Sequence, residues 1–235
     1  MKIKCFKKTD IGKKRNQNQD SILANEDLGL YIVADGMGGH AGGEIASSKA
    51  IDSLNEYFST NKFSNDIEVV GKAIKFCNKT VHDLAISKNL VGMGTTVTMC
   101  VCSDSHIYIG QVGDSRCYLF SDNRLFQVTE DHSQVYELLK AGIISEDNQH
   151  LVQKNVITRS VGFESEVTPD KFIHPLKSGD KYLLCSDGLS GMVADLDIQN
   201  MLINLSGQNC VDELVKLANL NGGEDNISVI IIEVQ

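Results

Sequence analysis

Basic residues are scarce in this chain. Its 235 residues include 22 lysines and arginines against 31 aspartates and glutamates, a formal net charge of −9. A dedicated nucleic-acid binder draws much of its affinity from neutralising phosphates, and a membrane anchor draws on a polybasic patch. Neither role fits this balance. Long hydrophobic runs are missing too: stretches such as Val229 to Ile232 fall far short of the roughly 18 residues of a membrane span. The basic N-terminus, Met1 to Asp10, has no apolar stretch behind it and does not read as a secretory signal. A cytoplasmic protein with no nucleic-acid or membrane partner is expected.

Proline is confined to Pro169 and Pro175, and no repeat, low-complexity tract or Pro-rich linker divides the chain, so one domain over residues 1–235 is expected. The seven cysteines are odd in number, scattered and without a C-x-x-C pair. Zinc ribbons and disulfide frameworks therefore find no support, and the thiols read as small buried groups in a reducing compartment. The phosphate-loop pattern G-x-x-x-x-G-K-[ST], the zinc helix H-E-x-x-H, the G-x-S-x-G elbow and the EF-hand loop are all absent.

The apolar pattern predicts strands at Leu28 to Ala34, Thr95 to Cys102, His106 to Val112, Cys117 to Phe120, Leu125 to Val128, Lys171 to His174, Lys181 to Cys185 and Ile227 to Val234. Helical spacing runs over Glu44 to Phe58, Asp66 to Ser87, Gln134 to Ala141, Leu196 to Leu205 and Cys210 to Ala218. Gly142 to Asn155 is polar and irregular. The four strands from Thr95 to Val128 are joined by turns too short for helices and are expected to form one antiparallel meander. Bunched strands with helices before and after them predict an α+β fold, two antiparallel sheets flanked by helices.

Aspartates recur at the ends of apolar strands. Asp35 precedes Gly36, Asp187 precedes Gly188, Asp114 follows Gly113, and Asp225 follows Gly222-Gly223-Glu224 just before the last strand. Strand ends can aim side chains at one point, where several carboxylates would repel each other unless a cation neutralised them. Hard cations such as Mn²⁺ and Mg²⁺ take oxygen ligands, and a metal pair can activate water and clamp a phosphoryl group. The competing reading is that these acids are turn residues, since Asp-Gly is a common hairpin turn. Arg15, in Arg15-Asn16-Gln17-Asn18-Gln19-Asp20, is either a phosphate clamp or a solvated loop arginine. Gly36-Met37-Gly38-Gly39-His40-Ala41 satisfies a dinucleotide-binding pattern, but Asp35 would point negative charge at the pyrophosphate and the meander lacks crossover helices.

The order of the pieces identifies a family. Arg15-x-x-Asn18-Gln19-Asp20, Val33-Ala34-Asp35-Gly36-Met37-Gly38-Gly39-His40, Gly94-Thr95-Thr96, Gly113-Asp114-Ser115-Arg116, Asp131-His132-Ser133, Ile157-Thr158-Arg159-x-x-Gly162, Ser186-Asp187-Gly188-Leu189 and Gly223-Glu224-Asp225-Asn226 span nearly the whole chain. Together they resemble the metal-dependent serine/threonine protein phosphatases of the protein phosphatase 2C class, in their stand-alone bacterial form. The resemblance implies a four-layer α-β-β-α sandwich holding two Mn²⁺ or Mg²⁺ ions bridged by an aspartate and a hydroxide that attacks phosphorus. It makes Asp35 the bridging ligand, with the Gly36 carbonyl beside it. Asp187 and Asp225 become ligands, Asp20 an outer acid, Asp114 with Asp187 the site of a third, weaker ion, and Arg15 the phosphate clamp. Gln19, Met37 and Gly191 depart from the eukaryotic pattern, and with Met37 in place of a histidine the candidate general acid is His40. Gly142 to Asn155 corresponds to a flap beside the metal centre. Phosphoserine and phosphothreonine proteins are the implied substrates of a monomeric enzyme opposed by a cognate Ser/Thr kinase. Two rivals are a non-catalytic relative, against which Asp35, Asp187 and Asp225 are all retained, and the branch acting on sigma-factor regulators, against which Arg15 speaks.

Overall fold

Apolar residues occupy both faces of the central strands, so each sheet must be covered on both sides, and the computed structural model shows how. It describes residues 1–38, 42–61, 63–90, 92–153 and 156–235. One antiparallel sheet has the order β1 (Ile3–Asp10), β11 (Ile227–Val234), β10 (Lys181–Cys185), β7 (Arg116–Ser121) and β8 (Arg124–Gln127). The other has the order β2 (Asp20–Asn25), β3 (Leu30–Met37), β5 (Val97–Cys102), β6 (His106–Val112) and β9 (Asp170–Pro175), with β4 (Gly94–Thr95) paired to the end of β3.

Side-chain alternation assigns the faces. From β3, Tyr31 and Val33 enter the space between the sheets, where they join Ile107, Ile109, Tyr182, Leu184, Ile230 and Ile232. Leu30 and Ile32 point the other way, onto α1 (Gly42–Thr60) and α2 (Glu68–Ser87), through Ala46, Ala50, Leu54 and Ile74. On the far side, Leu183, Val229 and Ile231 pack against α5 (Asp195–Asn204) and α6 (Gly207–Leu220), through Ile198, Leu202, Val211 and Leu214. Three apolar layers thus separate four layers of secondary structure, the α-β-β-α sandwich that was expected. No helix among the described residues is long and apolar enough to cross a membrane.

Three expectations need correction, and one strand was not anticipated. The stretch Thr95 to Val128 is not one meander: β6 pairs with β5 and β9, whereas β7 pairs with β8 and β10, so the link Gly113-Asp114-Ser115 crosses between the sheets. A short polar link reads like a hairpin turn, but buried bonds tie this one across the sandwich. Gln111 Nε2 donates to Ser115 O at 2.6 Å and Thr98 Oγ1 donates to the same oxygen at 2.9 Å. The basic N-terminus forms β1, an edge strand with Lys4 and Lys7 exposed, which discourages pairing with other chains. Asp35 lies inside β3 rather than at its end, because pairing with β4 carries the strand on to Met37. The polar stretch after Gly142, which follows α3 (Gln134–Lys140), contains a 3-10 helix at Glu146–Leu151.

Candidate metal centre

Asp20 and Asp35 are directly opposed in the β2–β3 ladder, so the strand register alone places two acids side by side. The backbone of Asp35 is held by the Gly94-Thr95-Thr96 segment. Its N–H donates to Thr96 Oγ1 at 2.9 Å, and its carbonyl accepts from Thr95 Oγ1 and Thr96 N, each at 2.8 Å. Asp20 Oδ2 accepts from Ser186 Oγ at 2.8 Å, and Ser186 Oγ accepts from Ser228 N at 3.0 Å, which ties β2 of one sheet to the end of β10 and to β11 in the other. Asp187 follows as the first residue of the short helix α4 (Asp187–Ser190).

Asp225 arrives on the loop before β11. Asn226 beside it accepts from Gln19 N at 2.8 Å and donates to Ile11 O and Gln17 O at 2.9 and 3.0 Å. This one amide pins the Arg15 loop against the Asp225 loop, and Arg15 Nη2 then reaches Asp225 Oδ2 at 2.6 Å. Arg15, Asp114, Arg116, Gln149, Asp187 and Asp225 line one cleft of ≈ 450 Å³. Gln149 brings the segment after Gly142 to its edge. A second groove of ≈ 380 Å³, beside Met37 and Arg159, holds none of the clustered acids.

The electrostatics of the cluster are unfavourable by themselves. Burial, with the charges of Asp20, Asp187, Asp114 and Asp225 added, pushes the Asp35 carboxyl well above the usual range. Burial first, then the charges of Asp187 and Asp225, push Asp20 up to about 7 despite the Ser186 hydroxyl. Burial, then Asp187 and Asp131, push Asp114 up to about 7. Asp187 is raised by burial and by Asp225. Among the described residues, one oxygen each of Asp20, Asp114 and Asp187 is buried without any hydrogen-bond partner. Unpaired buried acceptors and mutual repulsion are both relieved by hard cations, so the chemistry of this donor set fits a divalent metal, although among the described residues no three of these groups are already spaced as a ligand set.

A pH prediction follows from the raised values. A carboxyl with a folded-state pKa above its unfolded one contributes stability that is present below the unfolded value and lost as pH rises through the folded one. For Asp20 and Asp114 that loss spans the interval from the usual 3.8 to about 7. The metal-free protein should therefore lose stability across this window, and bound cation should restore it. The gap between Tm with Mn²⁺ and Tm with chelator is expected to widen from about pH 5.5 to about pH 8, measured by scanning calorimetry. A constant or narrowing gap would mean the acids do not share a cation.

All the acids named from the sequence converge here: Asp20, Asp35, Asp114, Asp187 and Asp225, with Gly36 and Arg15 beside them. His40 lies outside the described residues. Sequence reasoning gave no part to Ser186, Thr96, Asn226 or Arg116, although each stands inside a quoted motif. Arg116 grips Asp131 with Nε at 2.9 Å from Oδ1 and Nη2 at 2.7 Å from Oδ2, and its Nη1 donates to Tyr118 Oη at 2.9 Å, so it serves its neighbours more than the cleft.

Known proteins are similar to this chain over most of its length. The family model described as Protein phosphatase 2C matches residues 12–221. The serine/threonine phosphatase stp of Listeria welshimeri is 40% identical over 236 residues, covering 96% of this chain and 94% of its own. The structure of the S. agalactiae serine/threonine phosphatase superposes with a TM-score of 0.93 at 36% identity, covering 100% of both chains. The catalytic domain of the phosphatase PstP, solved in complex with two manganese ions, gives a TM-score of 0.90 at 32% identity over 99% of each chain. This chain belongs to the protein phosphatase 2C family and is a serine/threonine phosphatase.

Proposed function

We propose that the chain is one catalytic domain that hydrolyses phosphoserine and phosphothreonine in cytoplasmic proteins as a monomer, opposing a Ser/Thr protein kinase. The observation that carries this reading is the meeting of five carboxylates from separate segments, three with unpaired buried oxygens, next to an arginine. All seven cysteines are free thiols, which supports a reducing compartment.

In this reading Asp35, the Gly36 carbonyl, Asp187 and Asp225 hold two Mn²⁺ or Mg²⁺ ions, and Asp114 with Asp187 holds a third, weaker one. When bound, the ions supply Lewis acidity toward phosphoryl oxygens and lower the pKa of water. The protein's own part is positioning. The β2–β3 register and the Thr95 and Thr96 hydroxyls fix Asp35, and the Ser186 hydroxyl holds one oxygen of Asp20. Arg15 stands half-exposed on the rim, 48% of its side chain open to solvent, with Asp225 as its partner. A phosphoryl group entering the cleft would take over its donors as charge-assisted hydrogen bonds.

The direct test is phosphate release from a phosphothreonine peptide, present with Mn²⁺ and absent after exhaustive chelation; full activity after chelation would overturn the reading. Arg15→Ala should lower kcat/KM on that peptide about ten- to a hundredfold, since a charge-assisted hydrogen bond is worth about 1.5–3 kcal/mol. Its Tm should barely move, because half-exposed ion pairs contribute little. Unchanged kcat/KM would remove the clamp from the mechanism.

A further inference from the structure

Asp114 is held differently from Asp20 and Asp35, which face each other in the β2–β3 ladder. It sits in the link between β6 and β7, which belong to different sheets, so no strand ladder fixes it. A histidine does. Gly113 N–H donates to His132 Nδ1 at 3.1 Å, and His132 N–H donates back to Gly113 O at 2.9 Å. His132 is 2% exposed. Gly113 has φ +105°, and a Cβ there would lie 2.5 Å from Thr96 Cγ2, so the link presses its bare backbone against the residue that holds Asp35.

A backbone N–H can only donate, so Nδ1 must be the unprotonated nitrogen and the ring proton of neutral His132 sits on Nε2. Nε2 makes no hydrogen bond of good geometry but lies 3.3 Å from Asp170 Oδ2. Asp170 Oδ1 accepts from Arg159 Nη1 at 3.0 Å. Thr158 N donates to His132 O at 2.8 Å, and Ser133 bridges Ile157. Two motifs with no part in the chemistry, Asp131-His132-Ser133 and Ile157-Thr158-Arg159, therefore form one brace running from Arg159 through Asp170 and His132 to the backbone beside Asp114.

We propose that His132 is a positioning residue: through the Gly113 backbone it aims the Asp114 carboxylate into the cleft and so sets the affinity of the cation site that depends on Asp114, with Asp170 fixing the ring. The proposal rests on Asp114 being a cation ligand. A satisfied core histidine would fill space and do no more, and two variants separate the cases. His132→Asn keeps an acceptor near the Nδ1 position; His132→Leu keeps bulk but orphans the Gly113 N–H.

The experiment is titration of the metal-free full chain with Mn²⁺, counting free ion by electron paramagnetic resonance, for the parent, His132→Asn, His132→Leu and Asp114→Asn. The parent should show a weak class of sites beyond the tight one, and Asp114→Asn should lack it. His132→Leu should weaken that class by about ten- to a hundredfold, as for partners that orient metal ligands, while the tight class stays. His132→Asn should recover most of the loss. A weak class unchanged in His132→Leu, equal loss of both classes, or no recovery with asparagine would overturn the proposal. An Asp114→Asn titration identical to the parent would instead show that Asp114 is no ligand, and the assignment beneath the proposal would fall with it. Should His132→Leu not fold, the asparagine titration decides together with the ¹⁵N shifts of His132, which must show the Nε2–H tautomer; a proton on Nδ1 would overturn the brace.

Discussion

Asparagine or alanine at Asp35, and likewise at Asp187, is expected to abolish phosphate release while leaving the protein folded. The charges of Asp20, Asp187, Asp114 and Asp225 all act on the buried Asp35. Removing one preorganised electrostatic partner typically costs ~10²–10³ in kcat. Here the loss should exceed that range, because the same carboxylate is assigned to holding the cations. Stability should move the other way. In the metal-free protein Asp35 is buried among like charges, and Asp35→Asn removes that repulsion at nearly constant volume. Its Tm in chelator should rise above that of the parent, and its gain on adding Mn²⁺ should shrink. Turnover within a few-fold of the parent would mean the ligand set is wrong. A lowered Tm in chelator would mean that Asp35 is not under electrostatic strain.

The second large effect is steric. Gly36 follows Asp35 where β3 passes under the start of α1. A Cβ at Gly36 would sit 2.1 Å from Gly43 O and 2.6 Å from Gln19 O, both backbone atoms that cannot swing aside. Gly36→Ala must therefore push α1 away from β3 or bend β3 itself. Overpacking costs typically 1–3 kcal/mol, and with backbone on both sides the upper end applies, about 3 kcal/mol. For a chain of this size each kcal/mol shifts Tm by about 2–4 °C, so a fall of roughly 6–12 °C is expected. Mn²⁺ should restore little of it, because the displaced segment carries Asp35. A Tm within about 2 °C of the parent, with Mn²⁺ binding intact, would show that β3 and α1 can part without disturbing the site.

Four of the acids were legible because local chemistry marks them, an aspartate close to glycine at the end of an apolar strand (Asp35, Asp114, Asp187) or just before one (Asp225), while Asp20 was named from the order of motifs that belongs to one family. The two-faced burial of β3, β10 and β11 was legible for the same reason, since nearly every position in Ile227–Val234 is apolar and such a strand needs cover on both sides. The crossing at Gly113 was not. Its residues are those of a hairpin turn, and only pairing with strands far along the chain, β9 for β6 and β10 for β7, places β6 and β7 in different sheets. The residues that hold the site were hidden too. Ser186, Thr96 and Asn226 are small polar groups whose partners lie 166, 61 and 207 positions away in sequence.

By itself, then, the sequence determined which residues are chemically able to serve a metal centre and which segments must be buried, because residue type and periodicity are local properties. Tertiary structure alone decided that Asp20 faces Asp35, that Asp114 leaves its strand to cross the sandwich, and that Arg15 meets Asp225. Those outcomes depend on strand register and on hydrogen bonds between residues far apart in the chain. A one-residue slip in the β2–β3 pairing would turn Asp20 to the opposite face without changing a single letter of the sequence around it.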